Sequence, residues 1–269
     1  MRWRFLDSGA SDGVTNMATD AALLEHARRS GETTLRVYSW SRPTLSLGRH
    51  ERARGLFSPD VLRDEGVDVV RRPTGGRALL HHREVTYSVT APIGAASQRE
   101  SYEAINFLLL DALAALGVAA SEARPRQRPL RPEGAACFAE AGAGELVVRG
   151  AKLVGSAQRR EDGAFLQHGS ILLADDQPWI ADLRARSLAS AAGASSTVPL
   201  SAAPTAIAGA ATLESTLGRT VAYDEVRDAL VAALAQRTSR VDLIDPASLG
   251  SDLVRFVIAF ADPEWTWRR

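Results

Sequence analysis

The sequence predicts an α/β fold of the α+β kind, a sheet with helices packed on it, and three observations carry that expectation. Segments with the two-residue alternation of strands are interleaved along the chain with segments of helical period, which argues against a bundle or a sandwich. With 269 residues, 45% of them hydrophobic, the chain can bury a full core. Three consecutive apolar stretches, ELVVRG (145–150), KLVGSAQRR (152–160) and AFLQHGSILL (164–173), are joined by short turn sequences and read as an antiparallel meander. The expected organisation is one domain over residues 1–269, with 220–269 a helical extension packed on it.

In chain order, WRFL (3–6) reads as a short strand, and NMATDAALLEHARRSG (16–31) as a helix capped by Thr15 or Asn16 and stopped by Gly31. TLRVYSW (34–40) and TLSLG (44–48) are strands separated by an Arg42-Pro43 turn. Ser58-Pro59 caps a short helix ending at Gly66, and VDVVRR (67–72) follows as a buried strand. EVTYSVT (84–90) alternates as a half-buried strand, and YEAINFLLLDALAALG (102–117) is the strongest helix, closed by Gly117. The Ala-, Ser- and Gly-rich stretch 182–211 reads as small helices or surface excursions. Residues 221–237 and 247–260 are helices, and the aromatic ending EWTWRR docks on the body.

Composition excludes several function classes. No run of 18 apolar residues exists and the start MRWRFLDSGAS lacks the apolar stretch of a signal peptide, so no membrane is expected. The single cysteine fits a reducing cytoplasm and cannot by itself build a structural zinc site. Thirty-two basic and 32 acidic residues cancel, so no global field points to nucleic acid.

Chemistry concentrates in three places. Lys152 is the only lysine beside 31 arginines. An ammonium is a compact point donor where a guanidinium is a planar fork, so a lone one suits action at a single carbonyl or phosphoryl oxygen. RRPTGGRALLH (71–81) runs into a Thr-Gly-Gly turn whose backbone N–H groups can approach a ligand. It is neither a Walker loop nor a dinucleotide fingerprint. Around Lys152, the small residues Gly155, Ser156, Ala157, Gly169 and Ser170 leave room beside His168. If Glu161 to Gly163 form a three-residue turn, Ser156 falls opposite His168 and Lys152 shares their face. A two-residue turn pairs His168 with Ala157 and separates it from Lys152, so the spacing leaves both registers open. The third place is Cys137 in EGAACF (133–138). A lone cysteine is usually a small buried hydrophobe, but the arginines of RPRQRPLRP (124–132) and Lys152 would favour its reactive thiolate if the fold brings them near. That arginine loop is also the densest basic stretch near the cysteine, a candidate dock for acidic partners.

NMATDAALL, PTLSLGRH, RRPTGGRALLH with TYS behind it, GAKLVGSAQRR and LQHGSILL together resemble the lipoate–protein ligase A and octanoyltransferase family, from Trp3 to about Leu173. The resemblance implies a biotin/lipoate ligase-like fold, a mixed, largely antiparallel sheet flanked by helices with the acyl chain in a tunnel. It implies that Lys152 contacts the reacting carbonyl, that Gly75 and Gly76 line the acyl site, and that His81, Ser156 and His168 lie around it. Arg72, Gly155, Ala157 and Gly169 belong to the same motifs and complete the expected substrate-binding set; no metal is expected.

Two chemistries occur in that family, ATP-dependent ligation of lipoate and transfer of octanoate through a cysteine thioester. ACF before ELVVRGAKLVGSAQRR looks like the transferase branch in which that cysteine is the nucleophile, and Arg77, where ligases tend to carry a third glycine, points the same way. His82 stands where an acidic residue usually follows the loop histidine, which leaves the polar partner of His81 open. The implied function is an octanoyltransferase with Cys137 and Lys152 catalytic. Its donor would be octanoyl-acyl carrier protein and its acceptor a lipoyl-acceptor protein such as glycine-cleavage H protein. A monomer without cofactor is expected. Exchange of one thiol for another needs no ATP; ATP and Mg2+ enter only under the alternative of a lipoate–protein ligase. A non-catalytic acyl-binding or scaffold protein is the further alternative.

Overall fold

In the computed structural model, which describes residues 2–123, 138, 141–142, 144–193 and 209–269, the chain begins β1 (Trp3–Ser11), α1 (Gly13–Ser30), β2 (Thr33–Trp40), β3 (Thr44–Leu47), α2 (Pro59–Asp64), β4 (Asp68–Arg71), β5 (Leu79–His81), β6 (Glu84–Pro92) and α3 (Gln98–Ala115). It continues β7 (Ser121–Glu122), β8 (Leu146–Val148), β9 (Ala151–Glu161), β10 (Ala164–Leu172), α4 (Trp179–Ala191), α5 (Leu213–Leu217), α6 (Tyr223–Ala235), β11 (Val241–Leu243), α7 (Gly250–Ala261) and α8 (Pro263–Thr266). Among the described residues, eight strands form one sheet in the order β11-β1-β2-β6-β10-β9-β8-β7, and β4-β3-β5 form a second. In the large sheet β1 runs parallel to β2 and β11, and every other pairing is antiparallel.

One face of the large sheet buries Leu35, Val37, Val85, Val89 and Ile171 against Leu108, Leu109 and Leu113 of α3 and Leu230 of α6. α1 covers the opposite face, where Leu24 and Ala27 meet Ala164 and Leu166. With both faces covered, β6 is buried nearly throughout, so the half-exposed strand expected from its alternation is corrected: its polar side, Thr86, Ser88 and Thr90, lies on the α1 side, where the Thr86 and Ser88 hydroxyls are hydrogen-bonded. The helix starts also differ from expectation. Asp12, not Thr15 or Asn16, caps α1, its Oδ1 accepting from Thr15 N at 2.9 Å, because Asn16 is turned inward to donate to Ser11 O and Ser39 O. α3 begins at Gln98 under a Ser97–Glu100 capping box, a polar first turn that apolar periodicity does not reveal. In the Ala-rich stretch the described part is a regular helix, α4; residues 194–208 lie outside the described residues.

The β9–β10 hairpin resolves the register. Asp162 and Gly163 both have positive φ, 46° and 86°, as a two-residue type I′ turn requires, so His168 pairs with Ala157 and Gly169 with Ser156. Strict alternation would then put Lys152 and His168 on opposite faces. A bulge undoes this: Val147 pairs with Lys152 but Leu146 with Val154, leaving Leu153 as the extra residue. Lys152 is thereby re-aimed onto the face of Gly155 and Ala157, where a Cβ on Gly155 would lie 2.7 Å from Lys152 Cε.

Candidate active site

The Thr74-Gly75-Gly76 turn sits over the α1-side face of the large sheet and is clamped by Arg72. The buried Arg72 guanidinium donates to Ser46 O and Oγ at 2.9 and 3.1 Å, to Gly75 O at 3.0 Å and to Arg77 O at 2.7 Å. Its fork binds several carbonyls at once, which fixes the turn. Both glycines at the closest approach are obligatory. A Cβ on Gly76 would lie 2.5 Å from Arg72 Nη2 at a φ of 104°, and one on Gly48 would lie 1.9 Å from Gly76 O.

Beneath the turn runs a buried chain of hydrogen bonds. Thr74 Oγ1 and His168 Nε2 are 2.6 Å apart, and His168 Nδ1 is 3.0 Å from Asp20 Oδ2 on α1. Asp20 Oδ1 accepts from Arg36 Nη1 and Ser88 Oγ, both at 2.7 Å, and Tyr38 OH donates to Oδ2 at 3.1 Å. Burial opposes ionisation of Asp20, but the Arg36 guanidinium and the bonds from His168 and Ser88 outweigh it and hold the carboxyl below its ordinary pKa. An ionised Asp20 accepts from Nδ1–H, and in the neutral imidazole that leaves the lone pair on Nε2 to accept from the Thr74 hydroxyl.

His81 lies in a second network. Its Nδ1 is 2.7 Å from Glu84 Oε1, its Nε2 is 2.8 Å from Ser46 Oγ, and its ring stacks on Trp40 at 3.9 Å. Glu84 Oε1 also accepts from Thr86 Oγ1 and Ser170 Oγ, both at 2.7 Å. Glu84 therefore fills the place that His82 leaves open in the sequence. Burial pulls the His81 pKa below its ordinary value despite the opposing pull of Glu84.

Lys152 is 3% exposed, its Nζ donates to Glu145 Oε1 at 2.6 Å, and the ammonium stands 4.6 Å from the centre of the Phe138 ring. On the neighbouring positions, Ser156 Oγ and Tyr87 OH are 2.7 Å apart, and burial pushes the Tyr87 phenol up to about 12. Gly169 lets these groups close: a Cβ there would lie 2.6 Å from both Gly155 O and Ser156 Oγ.

The cavity beside these groups is about 100 Å³. Arg72, Gly75, Gly76, His81, Gly155, Ser156, Ala157, His168 and Gly169 all line it, together with Glu145, the partner of Lys152. Cys137 lies outside the described residues, as does the arginine loop 124–132; Phe138, next in sequence to Cys137, packs with Leu79 and Leu172 at the same cavity edge. Sequence reasoning missed Asp20, Thr74, Glu84 and Glu145. The signal for Asp20 was present, an acid among alanines and leucines on a buried helix face; Glu84 and Glu145 sit at strand starts, where a solvated carboxylate is the ordinary reading.

The mixed sheet thus carries a buried ammonium, held by Glu145, beside a glycine-walled cavity. The fold is that of solved lipoate–protein ligases: it superposes on the putative lipoate protein ligase Ta0514 of T. acidophilum with a TM-score of 0.73, 19% identity and full coverage of both chains, and on a lipoate-protein ligase A bound with ATP with a TM-score of 0.72, 20% identity and 99% coverage of each. The chain belongs to the lipoyl protein ligase A/B catalytic domain family, whose profile matches residues 12–235. Among curated relatives, Octanoyltransferase LipM of Kyrpidia tusciae is 48% identical over 180 residues, 64% of this chain and 66% of that protein. Octanoyltransferase LipM of Symbiobacterium thermophilum is 41% identical over 251 residues, 87% of this chain and 85% of that protein.

Proposed function

We propose that the chain carries an octanoyl group from a thioester donor to the side-chain amine of a lipoyl-acceptor protein by way of a thioester on Cys137, without a nucleotide. It is an octanoyltransferase of lipoate biosynthesis, in keeping with relatives of that name at 41–48% identity. The observation that carries the mechanism is the lone ammonium of Lys152, buried beside the cavity and held by Glu145, which lines it. Its neighbour Phe138 is peptide-bonded to Cys137, which supports the thiol as nucleophile.

The Cys137 thiolate adds to the donor carbonyl, Lys152 Nζ donates to the oxygen as negative charge develops, and the donor thiolate leaves with the electron pair of its C–S bond. One thioester replaces another, so the exchange needs no activation. In the second step the acceptor amine attacks the Cys137 thioester, a C–N bond forms and the Cys137 thiolate leaves. The amine's proton passes to His168 Nε2 through the Thr74 hydroxyl, and Asp20 stabilises the imidazolium until the proton returns to the thiolate. In this reading the donor is octanoyl-acyl carrier protein and the acceptor is glycine-cleavage H protein or a lipoyl domain. The setting is a reducing cytoplasm that keeps Cys137 free, and one protomer suffices.

The test is incubation with octanoyl-acyl carrier protein and apo acceptor in the absence of ATP. Intact mass is expected to show a hydroxylamine-labile octanoyl adduct on the enzyme and octanoylated acceptor thereafter. Near wild-type transfer by Cys137→Ser, or transfer that depends on ATP, would overturn the proposal.

A further inference from the structure

A second groove continues outward from the acyl cavity. On the shared face of β9 and β10, Ala157 and His168 line the cavity, and the next pair, Arg159 and Leu166, lines a groove of about 530 Å³. Such pairs repeat about every 7 Å along a strand. Pro73 lines the groove and Thr74 follows it in sequence, so the Thr74–His168 bond stands at the boundary between the two spaces. Leu24, Leu166, Phe256, Phe260 and Trp265 give the groove an apolar floor.

Its rim carries Arg28, Arg49, Arg159 and Arg255 with Glu25, Glu161 and Asp162. Arg28 faces Glu25 and Asp162, Arg159 pairs with Glu161, and Arg255 faces Asp252. Among the described residues Arg49 has no carboxylate partner, nor do Arg268 and Arg269 beside it. Arg49 and Arg268 stand 5.8 and 4.0 Å from the Trp265 ring centre, and Arg268 Nη2 donates to Arg49 O. Arg268 Nε is buried with no hydrogen-bond partner among the described residues. Burial lowers the pKa of Arg49, with repulsion from Arg159 adding to it and Glu161 opposing it; burial and then repulsion from the neighbouring arginines lower those of Arg268 and the adjacent His50. Guanidinium groups gathered without a carboxylate in ion-pair contact repel one another, and an anion seated among them relieves the cost.

We propose that this groove seats the phosphate-bearing arm of the acyl-thioester donor, Arg49 and Arg268 holding the phosphate while the apolar floor carries the arm inward to Thr74. Planar guanidinium forks match phosphate oxygens. A furrow with an apolar floor fits a slender organic chain ending in an anion, whereas an acidic protein face would bridge the rim and leave the floor empty. The proposal rests on octanoyl transfer from a thioester.

Its test compares octanoyl-pantetheine with octanoyl-phosphopantetheine, which differ by one phosphate, in the wild type, Arg49→Gln and Arg49→Gln/Arg268→Gln. The wild type is expected to prefer the phosphorylated thioester by about tenfold in kcat/KM, chiefly through KM, the worth of about one charge-assisted hydrogen bond. In both variants the ratio should fall to near unity. The Arg49 contact to Arg268 uses its backbone carbonyl, so the single variant keeps that bond. No phosphate preference in the wild type overturns the proposal, as does a preference kept by the variants. So does a loss confined to octanoyl-acyl carrier protein, which would assign the arginines to an acidic protein face. If the wild type turns over neither thioester, the transfer reading fails, and the groove is read separately by calorimetric titration of phosphopantetheine. Weaker binding to Arg49→Gln then supports the site, and equal or absent binding overturns it.

Discussion

Replacing Gly155 with Ala tests whether the position of one ammonium limits the reaction. The new Cβ would lie 2.7 Å from Lys152 Cε, 2.9 Å from Nζ and 3.1 Å from Phe138 Cζ. Ordinary contact distances are about 3.5–4.0 Å, so the end of the lysine chain must retreat by about 1 Å. The backbone has no reason to follow, because Gly155 sits in a strand without positive φ and its nearest neighbours are side-chain atoms. Overpacking against a flexible chain end should cost at most about 1 kcal/mol, a shift of a few degrees in Tm for a chain of this size. A displacement of about 1 Å at a reacting centre can cost on the order of 100-fold in rate. Transfer of octanoate to apo acceptor, measured under single turnover beside thermal unfolding, should therefore show about a 100-fold slower reaction in a folded protein. Gly169→Ala is the contrasting case: its Cβ would meet Gly155 O at 2.6 Å, a backbone atom, so stability should fall together with rate. A Gly155→Ala enzyme with wild-type kcat, or one that loses rate only in proportion to unfolding, would refute the reasoning.

Asp20→Asn leaves the buried Arg36 without its carboxylate and should cost about 3–5 kcal/mol in urea denaturation. Because the folded pKa of Asp20 lies below its ordinary value, its contribution is present above about pH 3.9 and is lost as pH falls through the folded value; the variant should lack that part of the acid limb. His81 titrates lower in the folded protein than in the unfolded chain, so the unfolded chain takes the proton first as pH falls below about 6.5 and native stability drops. Urea midpoints at about pH 7.5, 6.5 and 5.5 should decline in the wild type and decline less in His81→Gln; parallel declines would count against this assignment.

The meander, and the glycine-turn and hairpin positions that meet at one cavity, were legible because each depends on local chemistry, strand alternation and a glycine pair. The register of the β9–β10 hairpin was not, since Glu-Asp-Gly serves two turn lengths and only the positive φ of Asp162 decides between them. Alternation alone then misplaces Lys152, because the bulge at Leu153 depends on β8, whose pairing is set by contacts outside the hairpin. Asp20, Glu84 and Glu145 were hidden for a related reason. A carboxylate is ordinary on a solvated surface, and only the packing of α1 on the large sheet, and of the smaller sheet over both, shows that Asp20 and Glu84 are buried partners of histidines.

The walls at Gly75, Gly76, Gly155 and Gly169 are bare backbone. Every substitution at those four positions adds atoms, so under the proposed transfer of octanoate variation there shortens the acyl chain the cavity admits. A longer chain has to be won by trimming apolar side chains such as Met17 or Leu79. Mutational drift in substrate length is therefore lopsided, with many steps toward shorter acyl groups and few toward longer ones.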